Sequence, residues 1–390
     1  MAERSLHSSS WRRRVSRSLT QAVLAVLLCS PASAADAIAP SQAKADPNGS
    51  VLWYDLMLLD IEGKGWEDTK APYDRLPASA EKIARPPVWG LSRNSAGMVA
   101  RFVTNAPAVH ARWTLTSANL AMPHMPATGV SGLDLYVRLP NGAPWRWLAN
   151  GRPTQQTNTA QLVSGLPAGE HEFLLYLPLY NGVSSVEIGI PQGHSLAKAP
   201  ARPPERCKPI VFYGTSITQG GCASRPGMAY TAIVGRRLDR PVINLGFSGN
   251  GRMDPELAPL FAQLDPAVFV LDCVPNMNAK EVAERAESFV RVLLKAHPTT
   301  PVLLVEGRDR PNAPVFAVAR KPGEEDRTAL RSVYEKLAAE KAGTVAYLAG
   351  DKQLGDDGEA TVDNSHPTDL GFLRQADALQ QALTPLLQKP

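Results

Sequence analysis

The chain has 390 residues, 44% of them apolar and 20% charged, which describes a globular protein too long for one ordinary core. Its formal charge is +4, but residues 1–34 carry five Arg and one Glu, so the remainder is near neutral. The basic balance is therefore no argument for a nucleic-acid or membrane partner.

The N-terminus reads as an export signal. Arg12, Arg13, Arg14 and Arg17 form a basic segment, Ala22 to Cys29 an apolar one, and Ala32-Ser33-Ala34 a small-x-small cleavage site. The expected location is periplasmic or extracellular, and the paired arginines leave both a general and a twin-arginine export route open. No other apolar run is long enough to span a bilayer, so no membrane span is expected in the mature chain. Beyond this segment lie Cys207, Cys222 and Cys273, of which three cannot all pair. No C-x-x-C spacing occurs, so spacing predicts no zinc site.

Residues 35–48, rich in Ala, Pro, Ser, Asp and Lys, read as a linker. Residues 49–195 read as an all-β sandwich. Short, partly alternating runs at Val99 to Val103, Val109 to Leu115, Leu133 to Leu139, Glu172 to Leu177 and Val186 to Ile190 are separated by turns such as Asn141-Gly142 and Asn181-Gly182. Trp53, Trp66, Trp89, Trp113, Trp145 and Trp147 fall here. They could stack on sugar, but most are expected to fill the sandwich core. The Pro- and Arg-rich stretch 192–208 marks a boundary, and residues 205–390 form a second domain.

There the pattern changes. Strands are predicted at Ile210 to Tyr213, Val242 to Leu245, Val268 to Leu271, Val302 to Val305 and Val345 to Leu348. Helices are predicted at Met228 to Leu238, Glu256 to Leu264, Lys280 to Ala296, Asp326 to Lys341 and Leu370 to Leu387. Strands alternating with helices mean βαβ units around a parallel sheet, whose site lies outside the carboxyl ends of the strands.

The chemistry-bearing residues fall there. Gly214-Thr215-Ser216 follows the first of these strands; alone, Ser216 is as readily a helix cap as a nucleophile. Asp363 and His366, three apart in the last loop, can share one side of a turn, the carboxylate orienting the imidazole as general base. Ser248-Gly249 follows the second strand and Asn276 the third; each could donate N–H to an oxyanion. Of the other histidines only His124, between Met122-Pro123 and Met125-Pro126, rivals His366, and it has no carboxylate nearby in sequence. Its loop either overhangs the site and shapes the acyl pocket or merely connects two strands.

Ser216, Gly249, Asn276 and Asp363/His366, in this order, resemble the SGNH hydrolase (GDSL-like esterase) family over roughly residues 205–388. The first block departs from Gly-Asp-Ser by Thr215, the third lacks its flanking Gly and Asp, and the Asp363-to-Pro367 block matches fully. Gly132-Leu133-Asp134-Leu135-Tyr136 resembles the G-x-D-L-Y motif of a β-domain ahead of certain members. The resemblance implies a three-layer αβα, flavodoxin-like hydrolase domain with a parallel sheet, preceded by a jelly-roll-like all-β sandwich. It implies a serine ester hydrolase without metal or cofactor: Ser216, Asp363 and His366 as triad, and Ser216 N–H, Gly249 N–H and the Asn276 amide as oxyanion hole. Short acyl groups, acetyl above all, on carbohydrate are the expected substrate. The alternatives are a non-carbohydrate ester or thioester, or a glycan-binding protein on an inert hydrolase scaffold.

Overall fold

The computed structural model describes residues 36–139 and 144–388. The export segment and the Asn141-Gly142 turn lie outside the described residues. No described helix is long and apolar enough to cross a membrane.

Two antiparallel sheets come first. One has the order β1 (Lys44–Ala45), β2 (Val51–Asp55), β10 (Val183–Pro191), β5 (Ala108–Leu115), β8 (Thr157–Ser164). The other runs β11 (Leu196–Lys198), β4 (Val99–Thr104), β9 (His171–Tyr176), β6 (Leu133–Arg138), β7 (Trp145–Gly151), with β3 (Asp60–Glu62) on β4. Between them lie the inward-facing side chains of alternate positions, including Phe102, Val109, Trp113, Leu133, Leu135, Phe173 and Ile188. The two short helices of this region are α1 (Pro86–Ser92) and α2 (Ala127–Val130).

The expected tryptophan core is not formed. Among the six, Trp113 alone joins the sandwich cluster. Trp53 is buried on the other face under the Arg112 guanidinium, 3.7 Å from the ring. Trp66 and Trp89 pack against the core of the α/β region, and Trp147 is 49% exposed. The composition announced an apolar load without saying which face of which layer receives it.

After α3 (Pro204–Cys207) comes a five-stranded, wholly parallel sheet of order β13 (Val242–Gly246), β12 (Ile210–Gly214), β14 (Val268–Asp272), β15 (Val302–Val305), β16 (Val345–Leu348). Period-two alternation distributes its residues. Val211, Tyr213, Leu245, Leu271 and Leu304 face α6 (Ala258–Phe261), α7 (Ala279–Ala296) and α8 (Ala317–Ala339). Phe212, Val270, Leu303 and Val305 face α5 (Tyr230–Leu238) and α9 (Asp369–Leu387). The result is the expected three-layer αβα arrangement with flavodoxin-like order. Two helices differ from expectation. α8 begins at Ala317 rather than Asp326, and the Glu256-to-Leu264 helix is a 3₁₀ turn, Pro255–Leu257, followed by α6.

The two regions share buried clusters. Met125, Val130 and Leu179 join the core under α5 and α9, while Trp66, Leu76 and Val88 join the core under α7. The G-x-D-L-Y segment explains itself here. Leu133 and Leu135 point into the sandwich, so Asp134 and Tyr136 point out of it, toward the α/β region. Asp134, fully buried, accepts from Arg225 Nη1, Gly227 N–H and Trp147 Nε1, each at 2.8 Å.

Candidate active site

The strand order reverses at β12, which lies between β13 and β14, and register places Gly214, Gly246 and Asp272 at one level. The chain leaves all three strands at the same edge, so their three outgoing loops converge there. Ser216 opens the short helix α4 (Ser216–Gln219). Thr215 caps it, accepting from Ile217 N–H at 3.3 Å, while Thr218 Oγ1 accepts from Thr215 N–H at 3.2 Å. A threonine thus does the capping that an aspartate at this position could do. Gly251 permits the close approach of the next loop, since a Cβ there would meet Gly214 O at 1.8 Å.

Ser216 is 8% exposed, and its Oγ lies 2.8 Å from His366 Nε2. His366 Nδ1 lies 2.7 Å from Asp363 Oδ2. Asp363 Oδ1 accepts from the N–H of His366 (2.8 Å) and Ser365 (3.1 Å), so one carboxylate holds both the ring and the turn that carries it. Burial pushes the Asp363 carboxyl up, but the backbone and ring of His366 and the N–H of Ser365 outweigh it and leave it below the ordinary carboxylate range. Asn364, at φ 68°, takes the left-handed conformation asparagine tolerates, and its Oδ1 accepts from Asn312 N–H at 3.0 Å. Thr368 caps α9 by accepting from Gly371 N–H.

On the other side of Ser216, Gly249 has φ 68° and open space where a Cβ would stand. Neither its N–H nor that of Ser216 meets an acceptor among the described residues. Asn276 ends a 3₁₀ turn after β14. Turned so that Oδ1 accepts from Asn250 N–H (3.0 Å) and Gly251 N–H (3.2 Å), its amide keeps Nδ2 free of that loop. Two unclaimed backbone donors and one amide fit a developing oxyanion.

The sequence did not reveal what braces this side. Arg75, fully buried, spends its guanidinium on carbonyls: Gly246 O (2.7 Å) and Asn244 O (3.1 Å) in the α/β region, Leu91 O (2.7 Å) and Asn94 O (2.9 Å) in the N-terminal region. Complete burial pulls its pKa down to about 9, which still leaves it charged at neutral pH. Gln219, also buried, accepts from Ser248 N–H (3.1 Å) and donates to Asn94 Oδ1 and Leu179 O (3.1 Å each). Arg85 donates to Asn250 and pairs with Asp254 at 2.8 Å. The Tyr180 hydroxyl donates to Ser216 O at 2.9 Å. Beneath the Ser216 turn, buried Asp272 accepts from Tyr230 (2.8 Å) and Thr218 (3.2 Å) and pairs with Arg308. Gln219 and Asp272 lie inside the segments around Ser216 and Asn276, but nothing in the sequence assigned them a role; Arg75, Arg85 and Tyr180 lie outside any motif, and only long-range pairing could have exposed them.

His124 lies at the tip of a tight turn closed by reciprocal Met122–Met125 backbone bonds of 3.0 and 3.2 Å, with Pro123 favouring the bend and Met125 anchored in the core. Its ring centroid is 5.5 Å from that of His366. The expectation that it lacks a carboxylate neighbour holds only along the sequence: Asp363 is beside it in space. Among the described residues Cys207, Cys222 and Cys273 are free, Cys207 exposed and Cys222 and Cys273 buried.

The family models agree with this architecture. Residues 207–384 match the GDSL-like lipase/acylhydrolase family, and residues 51–196 match the GxDLY N-terminus of SGNH-type esterases. A crystal structure of a GDSL-like lipase from Bacteroides ovatus is 34% identical, with TM-score 0.81, covering 87% of this chain and 98% of its own. A salicylyl-acyltransferase from a tetracycline biosynthetic pathway shares the fold at 20% identity and TM-score 0.67, over 91% of this chain and 98% of its own. So does an acetyl xylan esterase from Butyrivibrio proteoclasticus, at 12% identity and TM-score 0.50, over 86% and 98%. No curated protein sequence matches. By its family match and its likeness to the Bacteroides ovatus structure, the chain belongs to the GDSL-like lipase/acylhydrolase family, with the GxDLY region of SGNH-type esterases ahead of it, and is an ester-hydrolysing enzyme.

Proposed function

We propose that this protein is an exported serine esterase that removes short acyl groups, acetyl first among them, from carbohydrate. The observation that carries the mechanism is the continuous relay from Ser216 Oγ through His366 to Asp363, at 2.8 and 2.7 Å. Ser216 attacks the ester carbonyl while His366 Nε2 takes its proton. The tetrahedral oxyanion accepts from Ser216 N–H, Gly249 N–H and Asn276 Nδ2. His366 then protonates the leaving alcohol, and water repeats the sequence on the acyl-enzyme.

The substrate reading rests on the open cleft beside His366, bordered by Leu91, Asn94, Met122, Tyr180 and Asn250. Apolar walls interrupted by amide and hydroxyl groups suit the alternating faces and hydroxyls of a sugar ring. Residues 1–34, with their basic, apolar and small-residue segments, support export. The test combines Ser216→Ala with a panel of acetylated glycans and p-nitrophenyl esters of rising chain length. The wild type should favour acetyl over long chains, and Ser216→Ala should retain only residual turnover. Wild-type rates in Ser216→Ala would remove the nucleophile; preference for long chains would remove the substrate class.

A further inference from the structure

Four side chains that the sequence holds far apart meet at the mouth of the site. His124, Cys222, Asp363 and His366 each present one ligand atom, and these atoms lie within 4.8 Å of one another. Two imidazoles, a thiol and a carboxylate are a donor set suited to zinc, whose tetrahedral bonds of about 2.0–2.3 Å set its donors somewhat closer than that. His124, one of the four, is exposed at the tip of its turn.

The backbone around Cys222 is unusual. Cys222 has φ 74°, a left-handed conformation uncommon for a non-glycine residue. The residue is buried, yet its sulfur faces Asp363 and the two rings rather than apolar neighbours alone. A divalent ion takes the sulfur as thiolate.

We infer that His124, Cys222, Asp363 and His366 form a reversible inhibitory site for Zn²⁺. On binding, the Cys222 S–H proton passes to solvent and the Zn–S bond replaces it; no electrons are exchanged. Whichever nitrogen His366 gives, the relay is broken. With Nε2 on the metal it cannot take the Ser216 proton, and with Nδ1 on the metal it loses Asp363. Occupancy therefore switches off hydrolysis without unfolding anything. The inhibition rests on the triad reading above; the binding does not.

The experiment uses the full chain carrying Ser216→Ala, which keeps all four donors whether or not the triad reading is right. Equilibrium dialysis against Zn²⁺ should find one ion per chain. His124→Ala and Cys222→Ala, added separately, should each weaken it at least as much as the loss of an outer partner does, roughly 10–100-fold. Because Cys222→Ala alters a buried turn, exposed His124 supplies the independent variant. Co²⁺ in place of Zn²⁺ should give a thiolate charge-transfer band that Cys222→Ala abolishes. In the wild type, Zn²⁺ should suppress p-nitrophenyl acetate hydrolysis, and a chelator should restore it. No binding to the Ser216→Ala chain, or binding indifferent to both substitutions, overturns the site. Donor-dependent binding in a wild type that hydrolyses no ester would sustain the site and sink the triad reading instead.

Discussion

The two flanks of Ser216 are built on different plans. The proton-relay flank is local: Asp363 and His366 are three residues apart, and one carboxylate fixes both the turn and the ring. It is also partly exposed. The flank proposed to hold the oxyanion is also open to solvent at Gly249, but its braces, Arg75 and Gln219, are buried, and it is assembled from distant pieces. Its Ser248–Gly251 loop is held by Gln219, Arg85 and Asn276, and Arg75 holds the end of the strand that leads into it. Proton transfer requires two groups in line, which a single turn can supply. Oxyanion stabilisation requires donors held in place before charge appears, which calls for a rigid surround.

Substitutions that separate the flanks can break or sharpen this contrast. His366→Ala should have the largest effect, lowering kcat by on the order of 10⁴ or more, measured with p-nitrophenyl acetate. A loss of only a few-fold would mean that another base, with His124 the obvious candidate, serves the serine. Asp134→Ala leaves the relay untouched and instead removes the buried partner of Arg225. Because Arg225 is one-fifth exposed and can partly rehydrate, the expected loss is about 3 kcal/mol of unfolding free energy in urea. Unaltered stability would mean the G-x-D-L-Y segment does not hold the regions together.

Asn276→Ala should lower kcat by about 10²–10³ with little change in KM, as for loss of one oxyanion donor. Should KM rise instead, Asn276 binds the ground state. Gln219→Leu touches no substrate and should cost up to about 10² in kcat by releasing the Ser248 loop. Gln219→Glu, which keeps an acceptor for Ser248 N–H, should recover part of that loss. Equal losses in both variants would assign Gln219 to general packing rather than positioning.

The same contrast decides what could be read in advance. Asp363 and His366 announce themselves because their geometry is set by spacing along the chain. The βαβ alternation was legible for the same reason, being a periodic pattern. Gly249 and Asn276 could be named as candidates from their places after strands, but each signal was weak alone, since a glycine turn and an asparagine after a strand are common. Arg75 and Tyr180 were invisible, and Gln219 was visible only as part of the Ser216 segment and not as a brace, because a buried polar side chain carries no sequence signature of its partners until they are known. His124 has no carboxylate neighbour along the chain, while the fold sets it beside Asp363. The tryptophans misled in the opposite way: their abundance suggested one sandwich core, and they are spread over several packing surfaces.

Arg75 has a consequence for anyone who would divide this chain into modules. It neutralises no acid; its guanidinium is shared between carbonyls on both sides of the Pro- and Arg-rich stretch. A cut there would strand a charged group on one fragment and bare carbonyls on the other, at the end of the strand that leads into the Ser248–Gly251 loop. Grafting this α/β region onto a foreign β-sandwich would thus fail at the level of catalysis even if each half folded. Directed evolution of one half will be constrained by the other, and libraries for new substrates should be drawn across both together.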